Sequence, residues 1–374
     1  MAPASRQMLV LCPYPLGVAA GQRLKFEQHY EDWRRAGWEV VPSPFMDRAL
    51  WDVAFEPDHT AAKAWGVCKG LMRRLRDLTR VHRYDLVYCF MYVTPLGSSL
   101  FERLVRLLAK RLVFDVEDNV VAGMNLTKDH PNPLLRILRG KGKFRYLVRT
   151  ADHVITSAPA LNALCLTINA KQACTYVSSS IDADRFLPVN YYRNDDTLVI
   201  GWTGTFSTRR YLDLLRPVFR QLAKQRSFRL RVIGNFDYEL PGVDLEVIRW
   251  SAEREVQDLQ AIDIGVYPME IEDWAGGKSG LKAITYMMLG LPCVATDTGT
   301  TPLIIDDGVS GLLVRTEADW LDALKRLIDE PGLRRRLGER AREVAVERFS
   351  TRAVSRDYLR ILDKVTTGAG VARA

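Results

Sequence analysis

A chain of 374 residues that is 47% hydrophobic and 26% charged can bury a sizeable core, and its length suits two domains or three. No run approaches the roughly 18–20 apolar residues of a membrane span, and the amino-terminal segment lacks a signal-peptide core with a cleavage site, so a cytoplasmic protein is expected. The net charge of +8 arises wholly in the first half: residues 1–190 hold 26 Lys and Arg against 18 Asp and Glu, whereas residues 191–374 hold 27 of each.

An apolar run at 8–12 reads as the first strand. The loop 13–23 carries Gly17, Gly21 and Arg23, and a helical pattern over 24–36 stops at Gly37 before a strand at 38–42. Residues 47–60, rich in Trp, Pro and Asp, read as irregular. A basic helix over 61–82 leads to a strand at 85–90, a helix at 96–110 and a strand at 111–116, after which come acids: Asp115, Glu117 and Asp118. A helix over 132–150, a strand at 153–157 and a short helix at 159–169 follow. The alternation predicts a parallel sheet covered by helices on both faces. The basic excess concentrates in 69–83, with six bases to one acid, and in 136–149, with six bases and no acid. Either segment alone reads as a solvated helix face. Together, interleaved with Leu, Phe and Tyr, they suit an anionic membrane surface, hence peripheral attachment at the inner face of the cell membrane. No zinc-finger or RRM pattern supports nucleic acid as a partner.

The polar stretch 187–197 reads as a linker, and the pattern then restarts. Strands at 198–204 and 229–234 flank a helix at 209–225, and a strand at 245–249 precedes a helix at 253–260. Residues 262–299 form the most informative unit: an apolar run, a loop with Gly276 and Gly277, a helix from Ser279 to Gly290, and a second apolar run at 293–295. The loop opens onto a helix amino terminus, where backbone N–H groups and a partial positive charge favour an anion. Lys278 and Lys282, four apart, read as neighbours on one helix face, and cations so placed suggest an anion that offsets their repulsion. A strand at 311–314 and helices at 317–329, 331–348 and 351–364 end the chain. Each half reads as a doubly wound sheet, with a cleft between them as the default site.

Six scattered cysteines without a CxxC pair read as buried free thiols in a reducing compartment, not as a disulfide or zinc framework. Five histidines show no metal or triad spacing.

Four segments in this order, with the tail, resemble the GT-B glycosyltransferases of family 4, in particular a bacterial branch that builds surface glycans. They are VFDVEDNV at 113–120, IGWTGTFSTRRYL at 200–212, the run from Asp263 through GKSGLKAITYMMLGLPCVAT, and IDDGVSGLLV at 305–314, followed by ERFSTRAVSRDYLRIL. The resemblance implies an α/β GT-B architecture. Two Rossmann-like domains would face each other across a cleft, 1–190 on the acceptor side and 191–350 on the nucleotide-sugar side, with 351–374 crossing back to the first. It also implies a nucleotide-sugar donor as substrate, a glycan or lipid-linked acceptor, retention of anomeric configuration, and neither metal nor cofactor. One departure stands out. Many members carry two glutamates eight positions apart around the glycine loop, and here Gly277 and Thr285 occupy those places.

On that reading Lys278 and Lys282 contact the diphosphate. Gly204, Thr205 and Ser207, with Arg209 or Arg210, form a second anion contact, although Ser207-Thr208 also suits an ordinary helix cap. Glu117 or Asp118 would meet the donor sugar or the acceptor hydroxyl, and clustered carboxylates should raise one another's pKa. Gly17, Gly21 and Arg23 lie toward the acceptor, and Glu272 with Trp274 toward the sugar. A nucleotide-sugar epimerase of the same architecture and a catalytically degenerate binding subunit are the alternatives.

Overall fold

The computed structural model describes residues 5–54, 56, 58–117, 142–190, 197–271 and 278–367. The chain divides into two compact units, Met1–Ser178 with Val354–Ala374, and Ser179–Ala353. Both are α/β with a six-stranded parallel sheet, as the alternation predicts.

The first unit runs β1 (Arg6–Cys12), α1 (Ala20–Lys25), α2 (Tyr30–Arg35), β2 (Trp38–Pro44), α3 (Arg48–Ala54), α4 (Thr60–Arg80), β3 (Leu86–Phe90), α5 (Leu100–Leu108), β4 (Leu112–Val116), α6 (Gly142–Thr150), β5 (His153–Thr156), α7 (Pro159–Ile168) and β6 (Cys174–Tyr176). Strand order is β2-β1-β3-β4-β5-β6. Alternation along the strands builds two cores. Leu9, Leu11, Val87 and Cys89 face the helices of the β3-to-β6 side, with Val105, Phe144 and Leu161. Met8, Val10, Leu86 and Tyr88 face α2 and the terminal helix Thr351–Thr367 through Trp33, Tyr358 and Leu362. Phe26, Tyr88, Trp33 and Tyr358 pack ring against tilted ring at centroid distances of 5.3 to 5.6 Å along this second core. Full burial of one such side chain contributes about 1.5–3 kcal/mol.

Two elements differ from the sequence reading. The single helix expected over 24–36 is broken at Phe26, whose φ of −133° lets its ring enter the core beside Phe90 at 4.9 Å. Residues 48–54, expected to be irregular, are helical because the Asp47 carboxylate caps the Leu50 N–H at 2.9 Å. The thiols are free, but Cys68 is exposed instead of buried.

Charges inside the first unit are paired. Lys25 and Asp115, both fully buried, lie 3.2 Å apart. The Tyr88 and Tyr358 hydroxyls both donate to Asp115 Oδ2, the second at 3.4 Å. Arg74, from the basic segment 69–83, turns inward: its guanidinium donates to the carbonyls of Cys12, Ser43 and Val93 and to Asp77. It thereby ties the carboxyl ends of β1 and β2 to the loop after β3. Arg73 donates to the Pro44 and Phe45 carbonyls, and Arg80 pairs with Asp77.

The second unit runs β7 (Val199–Thr203), α8 (Arg209–Asp213), α9 (Arg216–Ala223), β8 (Arg229–Gly234), β9 (Asp244–Arg249), α10 (Glu255–Gln260), β10 (Ile264–Tyr267), α11 (Leu281–Met288), β11 (Cys293–Thr296), α12 (Thr301–Ile304), β12 (Leu312–Val314), α13 (Glu317–Asp329) and α14 (Pro331–Phe349). The helix expected over 209–225 is two, because Pro217 in the first turn of α9 cannot donate its N–H into a continuous helix. Arg342 of α14 donates to the carbonyls of Ala183, Phe186 and Met288, pinning the start of this unit to the end of α11. Among the described residues no helix is long and apolar enough to cross a membrane.

His29 is fully buried against the Tyr358 ring, 5.0 Å between centroids. Burial, and then the Lys25 ammonium, push its pKa down to about 3. The unfolded chain takes a proton near pH 6.5 and the folded one does not until about 3, so stability is full above pH 6.5 and is lost as the pH falls toward 3. We expect urea unfolding of the parent to lose up to ~1.4 kcal/mol per pH unit below about 6 relative to His29→Gln. Parallel stability curves for the two proteins down to pH 5 would show that His29 protonates within the fold.

Candidate functional site

Strand order in the second unit is β12-β11-β10-β7-β8-β9, so the winding reverses between β10 and β7. With right-handed crossovers the helices after these two strands leave on opposite faces, and their carboxyl ends open a crevice. Trp202 near the end of β7 and Tyr267 at the end of β10 both lie near the Lys282 ammonium, 5.2 and 5.7 Å from the ring centroids. Each ring face attracts the cation by about 0.5–1 kcal/mol. Part of the repulsion that a lysine meets in the first turn of α11 is therefore offset by aromatic faces, a source the sequence reading did not consider.

Lys278 is not on that helix. α11 begins at Leu281, and Gly280 at φ +71° separates the two lysines, so they do not sit on successive turns as the four-residue spacing predicts. A Cβ on Gly280 would lie 2.1 Å from Ile304 Cδ1, so the left-handed turn and the packing both require glycine. The Lys278 carbonyl accepts a bond of 2.7 Å from the Thr300 hydroxyl, which fixes its backbone against the loop after β11.

The loop after β7 is folded tightly. Thr203 N–H donates to the buried Tyr286 hydroxyl at 3.0 Å. A Cβ on Gly204 would lie 2.4 Å from the Trp202 ring, and one on Gly234 would lie 2.6 Å from the Gly204 carbonyl. The helix cap is Thr205, in a capping box with Thr208, and the exposed hydroxyls of Thr205 and Ser207 lie 2.9 Å apart. Arg209 reaches Asp213 at 3.6 Å and lies over the Tyr238 ring, while Arg210 is exposed and donates to the Tyr211 hydroxyl. Thr285 is buried and donates to the Leu281 carbonyl at 2.8 Å. Glu272, Trp274, Gly276 and Gly277 lie outside the described residues.

The first unit reverses between β1 and β3. Tyr14 follows β1 and Tyr92 follows β3 there, and burial raises the Tyr14 pKa, which Tyr92 draws back and the Glu117 carboxylate raises further. Glu117 lies on Gly21: a Cβ there would be 2.3 Å from Glu117 Oε2. Gln22, fully buried, holds the loop by donating to the Tyr14 carbonyl at 2.8 Å and to Glu27 Oε1. Gly17, at φ +78°, donates its N–H to Glu27 Oε2 at 2.8 Å. Burial raises the Glu27 carboxyl, while Gln22, the Gly17 N–H and Arg23 pull it back.

The structure thus brings Gly17, Gly21, Arg23 and Glu117 into one cluster. Asp118 lies outside the described residues. Asp115 is raised by burial, not by neighbouring carboxylates, and Lys25, Tyr88 and Tyr358 draw it back. Its pairing inside the core explains the difference. Sequence reasoning missed Tyr14, Gln22, Glu27 and Tyr92 here, and Trp202 and Tyr267 in the other unit. Among the described residues no group of three His, Cys, Asp or Glu side chains is placed to hold a metal ion.

Residues 197–330 match the family profile of glycosyl transferases group 1. A D-inositol 3-phosphate glycosyltransferase of Saccharomonospora viridis is 29% identical over 257 residues, 60% of this chain and 57% of that protein. The match therefore spans just over half of that relative's length. Among solved structures, the sucrose-phosphate synthase of Thermosynechococcus elongatus aligns over 97% of this chain and 100% of its own, with TM-score 0.72 and 16% identity. HepE of Anabaena, in complex with UDP-glucose, aligns over 96% and 99%, with TM-score 0.65 and 14% identity. The fold is GT-B, and three of the four segments that carry the resemblance, at 200–212, 263–296 and 305–314, lie within the matched stretch.

Two glycines separate site geometry from stability. Gly21→Ala pushes against the free end of the Glu117 side chain, and its melting temperature should stay within about 2 °C of the parent. Gly265→Ala drives a Cβ to 2.4 Å from the buried Tyr286 ring and should lower it by several degrees, the effect of about 1–3 kcal/mol of overpacking. Equal melting shifts, followed by circular dichroism, would contradict this placement of Glu117.

Proposed function

We propose, from a second unit of the glycosyl transferases group 1 type on a GT-B fold, that this chain moves a sugar from a nucleoside-diphosphate sugar to an acceptor hydroxyl. One coincidence carries the reading. The stretch that matches the family, 197–330, is the stretch that gathers Lys282, Trp202, Tyr267, Thr205 and Ser207 at the reversal of its sheet. A cation fixed by aromatic faces is a rigid counter-charge, and charge accumulates on the diphosphate as its bond to the sugar breaks. Lys278 and Lys282 supply that charge without a metal ion, and the Thr205 and Ser207 hydroxyls hydrogen-bond phosphate oxygens. The anomeric configuration is retained.

Glu117, held on Gly21 beside Tyr14, is assigned to the acceptor hydroxyl, where a carboxylate can accept the proton released on transfer. The acceptor is a glycan or lipid-linked hydroxyl in bacterial glycan assembly. D-inositol 3-phosphate, which stands in the name of several relatives, belongs in the acceptor panel. UDP-sugars are the first donors to test, since HepE was solved with UDP-glucose.

Donor binding is read as a thermal shift with a nucleotide-sugar panel, and a ligand at a hundred times its Kd should stabilise the parent by about 2.7 kcal/mol. Lys278→Ala and Lys282→Ala should each abolish most of that shift while leaving the unliganded melting point nearly unchanged. Variants that respond like the parent would remove the lysines from the donor site. Glu117→Gln should keep the shift and lose about a hundredfold or more in transfer rate. A donor-induced shift without transfer or donor hydrolysis in any acceptor extract would favour a binding subunit, and a product sugar inverted within the donor would favour an epimerase.

A further inference from the structure

Helices α4, α5, α6 and α7 lie side by side along one side of the first unit's sheet. Their outward residues combine two features. The first is apolar bulk. Trp65, Cys68, Met72 and Leu75 recur at three- and four-residue spacing on the exposed side of α4, with Trp65 at 61% and Leu75 at 55% exposure. On α5, Leu100 is exposed at 55% and Leu107 at 79%. The second is charge of one sign. Arg76, Arg103, Arg145 and Arg149 are exposed on α4, α5 and α6. The four helices contain two acids, Asp77 and Glu102, and both are fully buried, paired with Arg74 and Arg80 and with Lys143.

We propose that this helix face docks on an anionic lipid bilayer, with the apolar side chains entering the acyl boundary and the arginines meeting lipid phosphates. The charge pattern selects this occupant. A second copy of the chain would bring the same cations face to face with no exposed carboxylate on these helices to receive them. Nucleic acid would satisfy the arginines and leave Trp65, Leu75 and Leu107 without apolar partners. Anchoring by arginines plus partly inserted Trp and Leu is the physical pattern of an interfacial protein surface. Only part of this face coincides with the segments that composition suggests, and 136–141 lie outside the described residues. Within 69–83, Arg73, Arg74 and Arg80 bond inward, and Trp65, Leu100 and Leu107 lie outside both basic segments.

The test is flotation of the full chain with phosphatidylcholine vesicles, with and without about 30% phosphatidylglycerol, at about 0.1 M and 0.5 M salt. We expect the chain to float with the anionic vesicles at low salt, to be released at high salt, and to ignore the neutral ones. Each of Arg76→Gln, Arg103→Gln and Arg145→Gln should lower partition about fivefold. Trp65→Ser and Leu107→Ser should each lower it about tenfold with unchanged melting temperature, while Arg326→Gln in the second unit changes nothing. Equal partition onto both vesicle types, no partition at all, self-association that Leu107→Ser abolishes, or tight nucleic-acid binding in place of vesicle binding would each overturn the proposal. None of these readouts uses a sugar donor, so failure here leaves the transfer reading standing.

Discussion

A buried ion pair organises the first unit. Lys25 of α1 and Asp115 at the end of β4 are both removed from water, and two tyrosine hydroxyls, from β3 and the terminal helix, close the remaining side of the carboxylate. Taking away one partner of such a pair leaves an uncompensated charge, at a cost of about 3–5 kcal/mol. The pair therefore dictates where four elements meet. Its members stand one helical turn after Gly21 and two residues before Glu117, so the acidic end of β4 is split into a buried structural carboxylate and a second one that lies against α1.

The second unit solves its site differently, with close backbone approach instead of buried charge. Gly204, Gly234 and Gly280 each stand where a Cβ would collide with a ring, a carbonyl or an isoleucine. Those absences draw the ends of β7 and β8 together and turn the chain into α11, and Tyr286 fastens helix to strand through the Thr203 N–H. The result is a lysine ammonium near two aromatic rings, an arrangement whose position is fixed by packing.

Much of this was legible from periodicity. Two α/β halves, their parallel sheets and the elements of the βαβ unit at 262–299 follow from apolar runs punctuated by glycine and proline. What periodicity could not give was the conformation of single residues. The spacing of Lys278 and Lys282 implies one helix face, but Gly280 adopts a left-handed φ that no count of residues reveals. Phe26 and Pro217 break helices whose patterns run on through them. Asp115 and Glu117 are two apart and both acidic, yet one is a core group, because burial depends on what lies across the sheet. The segment 69–83 reads as a basic surface by composition, whereas the fold draws Arg74 inward to serve three carbonyls and leaves the outer side of the helix to Met72, Leu75 and Arg76.

The terminal helix has a temporal implication. Its Tyr358 and Leu362 fill the core built on β1, β3 and α2, although more than 170 residues of the second unit stand between it and β6 in the sequence. A ribosome therefore releases every segment of the second unit before it supplies the last piece of the first. Until then the nascent amino-terminal half holds Asp115 without one of its two hydroxyl donors and an apolar trough without its cover. Co-translational maturation of this chain should thus run against the order of synthesis, the later-made unit consolidating first and the earlier-made one waiting on the final helix.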